Sequence, residues 1–228
     1  MRLVGLIGYP LTGSLSPRMQ NAAFAACELD WAYALVPVRE GHVERALEGL
    51  AALGFAGANI TIPHKQTVAS LCDDAEGESV NTLVIEDGRL LGFNTDVEIV
   101  RGIEAERVCL IGAGGAAAAL RPGLSGDVRT FSRNGDWPPE ASGCDLIVNA
   151  TPVVDELLVE PEAGQTVVDL AYRADGRETA LVAAARESGC DVVDGLEALV
   201  RQGAASFERW TRVAAPIDAM RSAVRSEA

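Results

Sequence analysis

One lysine stands apart from the other basic residues of this chain. Lys65 is the only lysine, whereas 18 positions carry arginine. A lysine ammonium can give up its proton and arginine effectively cannot, so a retained lysine is a candidate for proton transfer. Lys65 is also predicted to begin a helix after Pro63, where the helix dipole disfavours a cation. A carboxylate such as Asp96 would orient the ammonium, although chance retention of a surface lysine is the alternative.

A glycine-rich turn is the second chemical signal. Gly112 to Ala117 reads Gly-Ala-Gly-Gly-Ala-Ala, follows a predicted buried strand over 107–111 and precedes a predicted helix over 115–121. This GxGxxA pattern is typical of turns that let backbone amides approach a dinucleotide pyrophosphate. The alternative is a small-residue helix start packed tightly on a sheet.

The residues after the next strand bear on cofactor choice. An NAD site usually places an acidic residue about 20 positions beyond the first glycine. Here the strand over 127–132 ends in Ser132 and Arg133. An arginine can pair with a 2′-phosphate, which favours NADP and leaves NAD possible.

Uncharged polar residues recur at predicted strand ends in the first half of the chain. In parallel sheets, ligands bind at the carboxyl ends of strands. Hydroxyl and amide side chains gathered there suit a neutral, polyhydroxylated ligand, although each cluster alone could simply cap a helix or turn. The clusters are Ser14 with Ser16, Asn59 with Thr61, Asn81 with Thr82, and Asn94 with Thr95 and Asp96.

Strand and helix patterns alternate along the whole chain, which predicts an α/β fold with two lobes. The predicted first lobe covers residues 1–98, with residues 213–228 packing back on it as a returning helix. The predicted dinucleotide-binding lobe covers residues 99–212. Only residues 134–144 separate Arg133 from the next strand, too few for a further helix and strand. We therefore predict a trimmed, Rossmann-like second lobe.

Composition excludes several classes of protein. The 228 residues include 33 acidic and 19 basic ones, for a net charge of −14, which argues against a nucleic-acid partner. No apolar run is long enough to cross a membrane. Five scattered cysteines without a CxxC, together with two histidines, make disulfides and a metal site improbable and favour the cytoplasm. The oligomeric state, monomer or homodimer, stays open.

These motifs together resemble the shikimate dehydrogenase family. The resemblance spans nearly the whole chain in order, and its stretch from 57 to 65 is highly specific. The matching segments are Gly13-Ser14-Leu15-Ser16-Pro17, Gly57-Ala58-Asn59-Ile60-Thr61-Ile62-Pro63-His64-Lys65, Val80-Asn81-Thr82-Leu83, Gly92-Phe93-Asn94-Thr95-Asp96, Gly112 to Ala117, Asn149-Ala150-Thr151-Pro152, Gln202-Gly203-Ala204 and Ser206-Phe207-Glu208-Arg209-Trp210-Thr211.

The resemblance implies an activity and a set of roles. Family members reduce 3-dehydroshikimate to shikimate with NADPH, and Lys65 and Asp96 match the catalytic pair. The implied substrate-binding residues are Ser14, Ser16, Asn59, Thr61, Asn81, Tyr172 and Gln202. The implied cofactor-binding residues are Gly112, Ala113, Gly114, Gly115, Ala116, Ser132, Arg133, Thr151 and Gly195.

Departures from the family pattern keep alternatives open. The usual second basic residue of the phosphate site is absent, so we expect weakened NADP affinity. A relative acting on quinate or an aminoshikimate-type substrate, with NAD, would carry much the same hydroxyl-binding set. A ligand-binding homologue without catalysis is a third possibility, which the presence of both Lys65 and Asp96 disfavours.

Overall fold

The computed structural model describes residues 1–173 and 175–226, and they form two compact units. The first unit comprises Met1–Thr95 and Gln202–Ser226, and the second comprises Asp96–Arg201. The sequence-based boundaries fall at 98/99 and 212/213 instead. Residues 202–212 group with the first unit because Phe207 and Trp210 are buried there: Phe207 stacks on Phe24, and Trp210 donates to the carbonyl of Leu83.

Eleven strands and seven α-helices are assigned within the described residues. The strands are β1 (Arg2–Gly8), β2 (Trp31–Pro37), β3 (Phe55–Ile60), β4 (Asp74–Ala75), β5 (Thr82–Glu86), β6 (Arg89–Phe93), β7 (Arg107–Ile111), β8 (Asp127–Phe131), β9 (Leu146–Asn149), β10 (Thr166–Asp169) and β11 (Asp191–Val193). The α-helices are α1 (Ser16–Ala26), α2 (Val43–Ala52), α3 (Lys65–Leu71), α4 (Gly115–Leu120), α5 (Ala180–Glu187), α6 (Gly195–Thr211) and α7 (Ile217–Arg225), and Thr95–Ile99 and Arg121–Gly123 are short 3₁₀ helices.

The first unit is built on a six-stranded mixed sheet in the order β2-β1-β3-β5-β6-β4. β1 pairs in parallel with β2 and β3, and β5 runs antiparallel to β3. The β5–β6 hairpin predicted from Asp87-Gly88 is present, and both residues have positive φ, as such a tight turn requires. α7 packs against α1, so the C-terminal helix returns to this unit as predicted.

The second unit is built on a five-stranded parallel sheet in the order β11-β10-β9-β7-β8. Alternate residues of its strands enter two apolar clusters, one on each face, because side chains alternate across a strand. The full doubly wound order is 3-2-1-4-5-6. With β7 as strand 1 and β8 as strand 2, strand 3 is the one missing.

The trimmed second lobe predicted from the sequence is thereby confirmed. Residues 132–145, all of which the structure describes, contain no helix or strand and connect β8 directly to β9. β8 is the edge strand of the sheet on that side. Any surface that a third strand and its helix would supply must come from this connecting segment.

Candidate functional site

The connection from β3 to α3 positions Lys65. α3 begins at Lys65, as the sequence predicts, and the side chain is partly buried. The preceding His64 is buried, and its Nε2 lies 2.7 Å from the carbonyl oxygen of Val38. The backbone oxygen of Lys65 accepts from the N–H of Val80 at 3.2 Å. The backbone of Lys65 is therefore anchored at the start of α3, through its own carbonyl and through the neighbouring histidine.

Asn59, at the end of β3, lies in a buried hydrogen-bond network. Its Oδ1 accepts from the Tyr33 hydroxyl at 2.9 Å. Its Nδ2 donates to the Asn81 carbonyl at 3.1 Å, to Thr82 Oγ1 at 3.1 Å and to Ser206 Oγ at 2.9 Å. Every polar atom of this amide is used within the first unit, so Asn59 joins β3 to its neighbours more than it faces outward.

Asn81 fixes the residue that precedes Asp96. The Asn81 Oδ1 accepts from the backbone N–H of Thr95 at 2.8 Å and from its hydroxyl at 3.0 Å. The Thr95 hydroxyl also lies 3.0 Å from Thr82 Oγ1 and 3.2 Å from Ser206 Oγ. Because Thr95 is almost fully buried, these bonds hold the chain rigidly at the point where Asp96 begins the second unit.

The remaining predicted substrate residues of the first unit have distinct placements. Ser16 is buried, its backbone N–H donates to Ser14 Oγ at 3.3 Å, and its side chain bonds to Tyr33. Burial raises the pKa of Tyr33 well above its ordinary value, so the phenol stays protonated. Thr61 is held by its N–H to the Ile7 carbonyl at 2.8 Å. The carbonyl of Gln202 accepts from the Ser206 hydroxyl at 3.0 Å.

In the second unit, the glycine-rich turn opens onto a cavity of about 330 Å³ at the carboxyl ends of β7, β8 and β9. Gly112 has a φ of 113° and lies so close to the Ala150 carbonyl that a Cβ would stand 3.1 Å from its oxygen. A side chain there would strain the backbone and narrow the cavity. The lining residues are Gly112, Ala113, Gly114, Ser132, Arg133, Trp137, Ala150, Thr151, Pro152, Val153 and Leu158.

Six of the nine predicted cofactor residues line this cavity: Gly112, Ala113, Gly114, Ser132, Arg133 and Thr151. Among the described residues, Gly115, Ala116 and Gly195 lie outside the lining. Gly115 and Ala116 form the first turn of α4. At Gly195 a Cβ would overlap the carbonyl of Ala171 and stand 2.9 Å from the Cβ of Tyr172, so glycine lets α6 begin against that loop.

Arg133 supplies the positive charge at the cavity. Its guanidinium Cζ lies 5.5 Å from the ring centroid of Trp137, within the range of a cation–π contact. One Nη also donates to Glu156 Oε2 at 3.1 Å. Both partners of this ion pair are largely exposed, so the pair contributes little to stability. Arg133 can therefore exchange the Glu156 carboxylate for another anion with only a small loss of free energy.

A buried carboxylate organises the loops after β9 and β10. Asp169 Oδ1 accepts from Asn149 Nδ2 at 2.9 Å and from the Ala171 N–H at 3.0 Å, and Oδ2 accepts from Thr179 Oγ1 at 2.5 Å. Asn149 in turn accepts from the N–H and hydroxyl of Thr151. Desolvation raises the pKa of Asp169 despite these bonds. This network fixes the backbone leading into Thr151 and Tyr172.

Several of these positioning residues escape sequence reasoning. Tyr33 and Ser206 reach Asn59 from elements that are far away in the sequence, and no local pattern marks them. Asp169 is different, because a carboxylate closing an otherwise apolar strand could have been recognised as a buried polar group with partners. Trp137 could also have been recognised, as the one tryptophan in the short connection that follows Arg133.

Two searches of the described residues gave negative results. No helix there is long and apolar enough to cross a membrane. No group of three or more histidine, cysteine or acidic residues within residues 1–173 and 175–226 could hold a metal ion. All five cysteines are free thiols.

A parallel sheet of this order, with a glycine-rich turn that opens onto a cavity at the strand ends, defines a dinucleotide-binding α/β protein. Residues 6–83 match the family model described as "Shikimate dehydrogenase substrate binding domain", and residues 195–225 match "Shikimate 5′-dehydrogenase C-terminal domain". The shikimate dehydrogenase (NADP+) of Rubrobacter xylanophilus is 39% identical over 277 aligned positions, covering 99% of this chain and 96% of the relative. The chain belongs to the shikimate dehydrogenase family.

Solved structures agree with this assignment. A shikimate dehydrogenase in complex with NADP+ superposes with a TM-score of 0.88 at 29% identity, covering 100% of this chain and 96% of the other. The Thermus thermophilus enzyme, in complex with NADP(H) and shikimate, gives 0.86 at 28% identity with 99% of both chains covered. The 277 aligned positions of the bacterial relative exceed the length of this chain, so the excess consists of gaps, as a trimmed lobe requires.

Proposed function

We propose that Lys65 and Asp96 are the proton-transfer pair in the NADP-dependent interconversion of 3-dehydroshikimate and shikimate, the reaction of the family to which this chain belongs. The observation that carries this proposal is the placement of Lys65. The only lysine of the chain begins a helix at the end of a central strand, beside a buried polar network that ends at Thr95, the residue before Asp96. A purely structural cation would gain nothing from that position.

The first unit supplies the groups that suit the substrate. Ser14, Thr61 and Gln202 are assigned to the substrate's hydroxyl and carboxylate groups, together with Ser16, Asn59 and Asn81 and with Tyr172 of the second unit. Neutral donors and acceptors of this kind recognise a polyhydroxylated ring without requiring an opposite charge. The network around Asn59 supports the assignment because it fixes the strand ends before any ligand arrives.

The cavity of the second unit suits NADP. Its size is within the range of small-molecule sites, its turn has no side chain where a pyrophosphate would approach, and Arg133 offers a cation for a 2′-phosphate. Gly112, Ala113, Gly114, Ser132, Arg133 and Thr151 would hold it, and NAD remains a weaker alternative. When bound, the cofactor supplies the hydride chemistry that no side chain of this chain can perform.

Reduction of a ketone to an alcohol also requires one proton at oxygen, and this is the task assigned to the protein. Lys65 Nζ donates that proton as negative charge develops on the oxygen, and in the reverse direction the neutral amine takes it back. Asp96 holds the ammonium in place and stabilises its charge. Arginine could not replace Lys65, because its guanidinium stays protonated.

An assay of four substrate and cofactor pairs tests the proposed activity. Nicotinamide absorbance is followed with shikimate or quinate, each with NADP or NAD. We expect the highest kcat/KM with shikimate and NADP. A higher kcat/KM with quinate and NAD would contradict the assignment of shikimate and NADP as substrate and cofactor. No turnover with any pair in folded protein would contradict the proposed activity itself.

Location and partners are inferred from composition. We infer from the scattered cysteines that the chain acts in the cytoplasm, and from its charge that it has no nucleic-acid partner, while the choice between monomer and homodimer stays open. The net charge of −14 argues against a nucleic-acid partner because nucleic-acid binding is driven by positive charge.

A further inference from the structure

Trp137 is a large apolar side chain exposed at the mouth of a cavity. It keeps 39% of its surface accessible and belongs to a short connection between the edge strand β8 and the buried strand β9. The segment turns back on itself through a bond from the Ser132 N–H to the Asp136 carbonyl at 3.0 Å, and Trp137 follows directly. An exposed indole in a folded segment that also lines a cavity indicates a binding surface.

The missing strand of the second unit explains why an indole would be needed there. Within residues 1–173 and 175–226, no strand lies beyond β8 in the sheet, so the cavity has no wall from a third strand and its helix on that side. Among the described residues lining the cavity, Trp137 is the only aromatic one, and Leu158 and Val153 are the other large apolar ones. The shortened connection has thus placed a flat apolar surface where the trimmed element would otherwise stand.

The neighbourhood of Trp137 matches the end of a nucleotide that bears a base and a phosphate. The indole offers a π face, and Arg133, 5.5 Å from its centroid, offers a cation for a phosphate. Bases stack favourably on the faces of aromatic side chains. The glycine turn on the same cavity leaves room for the linking phosphates.

We propose that Trp137 is the stacking platform for the adenine base of NADP in this trimmed unit, with Arg133 holding the adjacent 2′-phosphate. This inference rests on the proposed function, since it assumes that the cavity binds that cofactor. It adds to it a cofactor-binding residue in the segment that replaces a strand and a helix.

A binding experiment without redox chemistry tests the platform. Adenosine 2′,5′-bisphosphate, which carries the base and the 2′-phosphate but no nicotinamide, is titrated into the full chain. Tryptophan emission reports stacking, and calorimetry gives the Kd independently. The chain has three tryptophans, and Trp210 is buried and bonded to the Leu83 carbonyl, so it serves as an internal reference.

We expect saturable quenching in the unaltered protein. Trp137→Phe should remove most of the quenching while the Kd stays within about threefold, because phenylalanine keeps a stacking face. Trp137→Ala should raise the Kd roughly tenfold. In each variant the KM for NADP should change in the same direction as the Kd for the bisphosphate, and the KM for shikimate should stay unchanged. Trp31→Phe, in the first unit, is the matched control and should alter none of these values.

Quenching of full amplitude in Trp137→Phe would overturn the inference. So would a Kd for Trp137→Ala within twofold of the unaltered protein, or no binding of the bisphosphate at all. If Trp137→Ala fails to fold, the quenching amplitude measured for Trp137→Phe still tests the inference. Quenching that depends on Trp137 in a protein without shikimate turnover would sink the proposed function and leave the platform standing. Shikimate turnover in a protein whose quenching does not depend on Trp137 would support the proposed function and overturn the inference about Trp137.

Discussion

The residues at the strand ends of the two units differ in their burial and in their hydrogen bonding. In the first unit, Asn59 is buried and bonded to Thr82 and Ser206, and Thr82 is bonded in turn to Thr95, so this predicted substrate residue forms part of the interior. In the second unit, the cavity is lined by exposed backbone at Gly114 and by exposed side chains such as Arg133.

This difference indicates how each unit would tolerate change. A buried network leaves unsatisfied polar groups when any member is lost, so substitutions there should cost stability and binding together. An exposed lining can change with little cost to the fold. A strand and a helix can therefore be absent from the second unit without loss of its sheet, whereas residues 6–83 of the first unit match the family's substrate-binding model.

A large effect is expected at Asp96. Asp96→Asn keeps the size of the side chain but removes the charge proposed to hold the Lys65 ammonium, and kcat should fall by about 100-fold or more. Initial rates with shikimate and NADP measure this, with thermal unfolding as the control for folding. A kcat within fivefold of the unaltered enzyme would show that Asp96 is not part of the pair.

Asn59 tests the claim that binding and stability are coupled in the first unit. Asn59→Ala removes one buried hydrogen-bond partner from each of Tyr33, Thr82 and Ser206, so the free energy of unfolding should fall by about 2–4 kcal/mol, and the KM for shikimate should rise. Denaturant unfolding and initial rates give the two values.

Ser14→Ala is the matched control for that variant. Ser14 is partly exposed and accepts one bond from the Ser16 N–H, so its loss should raise the KM for shikimate with an unfolding free energy that changes by less than about 1 kcal/mol. If both variants lose stability equally, or if Asn59→Ala loses none, the coupling claim is wrong.

Asp169 gives a pH-dependent test in the second unit. Burial raises the pKa of Asp169 in the folded protein above its ordinary value of 3.8. The folded state then binds more protons than the unfolded state between those two values, so stability falls as the pH rises through that window. Asp169→Asn cannot titrate, and its amide can still bond to Asn149 and Thr179.

The unfolding free energy of the unaltered protein minus that of Asp169→Asn should therefore be largest near pH 4 and decrease toward neutral pH. Denaturant unfolding at a series of pH values measures this difference, in which the titration of other groups cancels. A difference that increases with pH would mean that the hydrogen bonds outweigh desolvation and that the pKa is lowered instead.

The smallest effect is expected at Glu156. Its carboxylate bonds to Arg133, so it competes with a 2′-phosphate for the same guanidinium. Glu156→Gln should tighten binding of adenosine 2′,5′-bisphosphate by about two- to fivefold, since exposed ion pairs are worth at most about 1 kcal/mol. Binding of 5′-AMP, which lacks the 2′-phosphate, should not change. Equal tightening for both nucleotides would show a general charge effect.

The sequence predicts local features of this molecule better than long-range ones. The turn at Gly112–Ala117, the hairpin at Asp87-Gly88 and the short connection after Arg133 each depend on neighbouring residues, and the structure contains all three. Turn geometry and connection length are set by local sterics.

The polar networks could not be predicted in the same way. Asn59 and Ser206 are 147 positions apart in the chain. Asp169 meets Thr179 only because the loop after β10 returns to its end. Such partners are determined by tertiary packing, which spacing alone does not reveal. The point within α6 at which the chain returns to the first unit is of the same kind, because a continuous helix shows no change of pattern at Gln202.

The central claim is that Lys65 transfers the proton, and a comparison of two variants tests it most directly. Initial rates with shikimate and NADP are measured for Lys65→Ala and Lys65→Arg, with shikimate binding followed by calorimetry. Both variants should bind shikimate within about tenfold of the unaltered protein and lose about 10²- to 10⁴-fold in kcat, because neither alanine nor arginine can exchange the proton. A Lys65→Arg variant with kcat within threefold of the unaltered enzyme would show that Lys65 supplies only charge and would contradict the account.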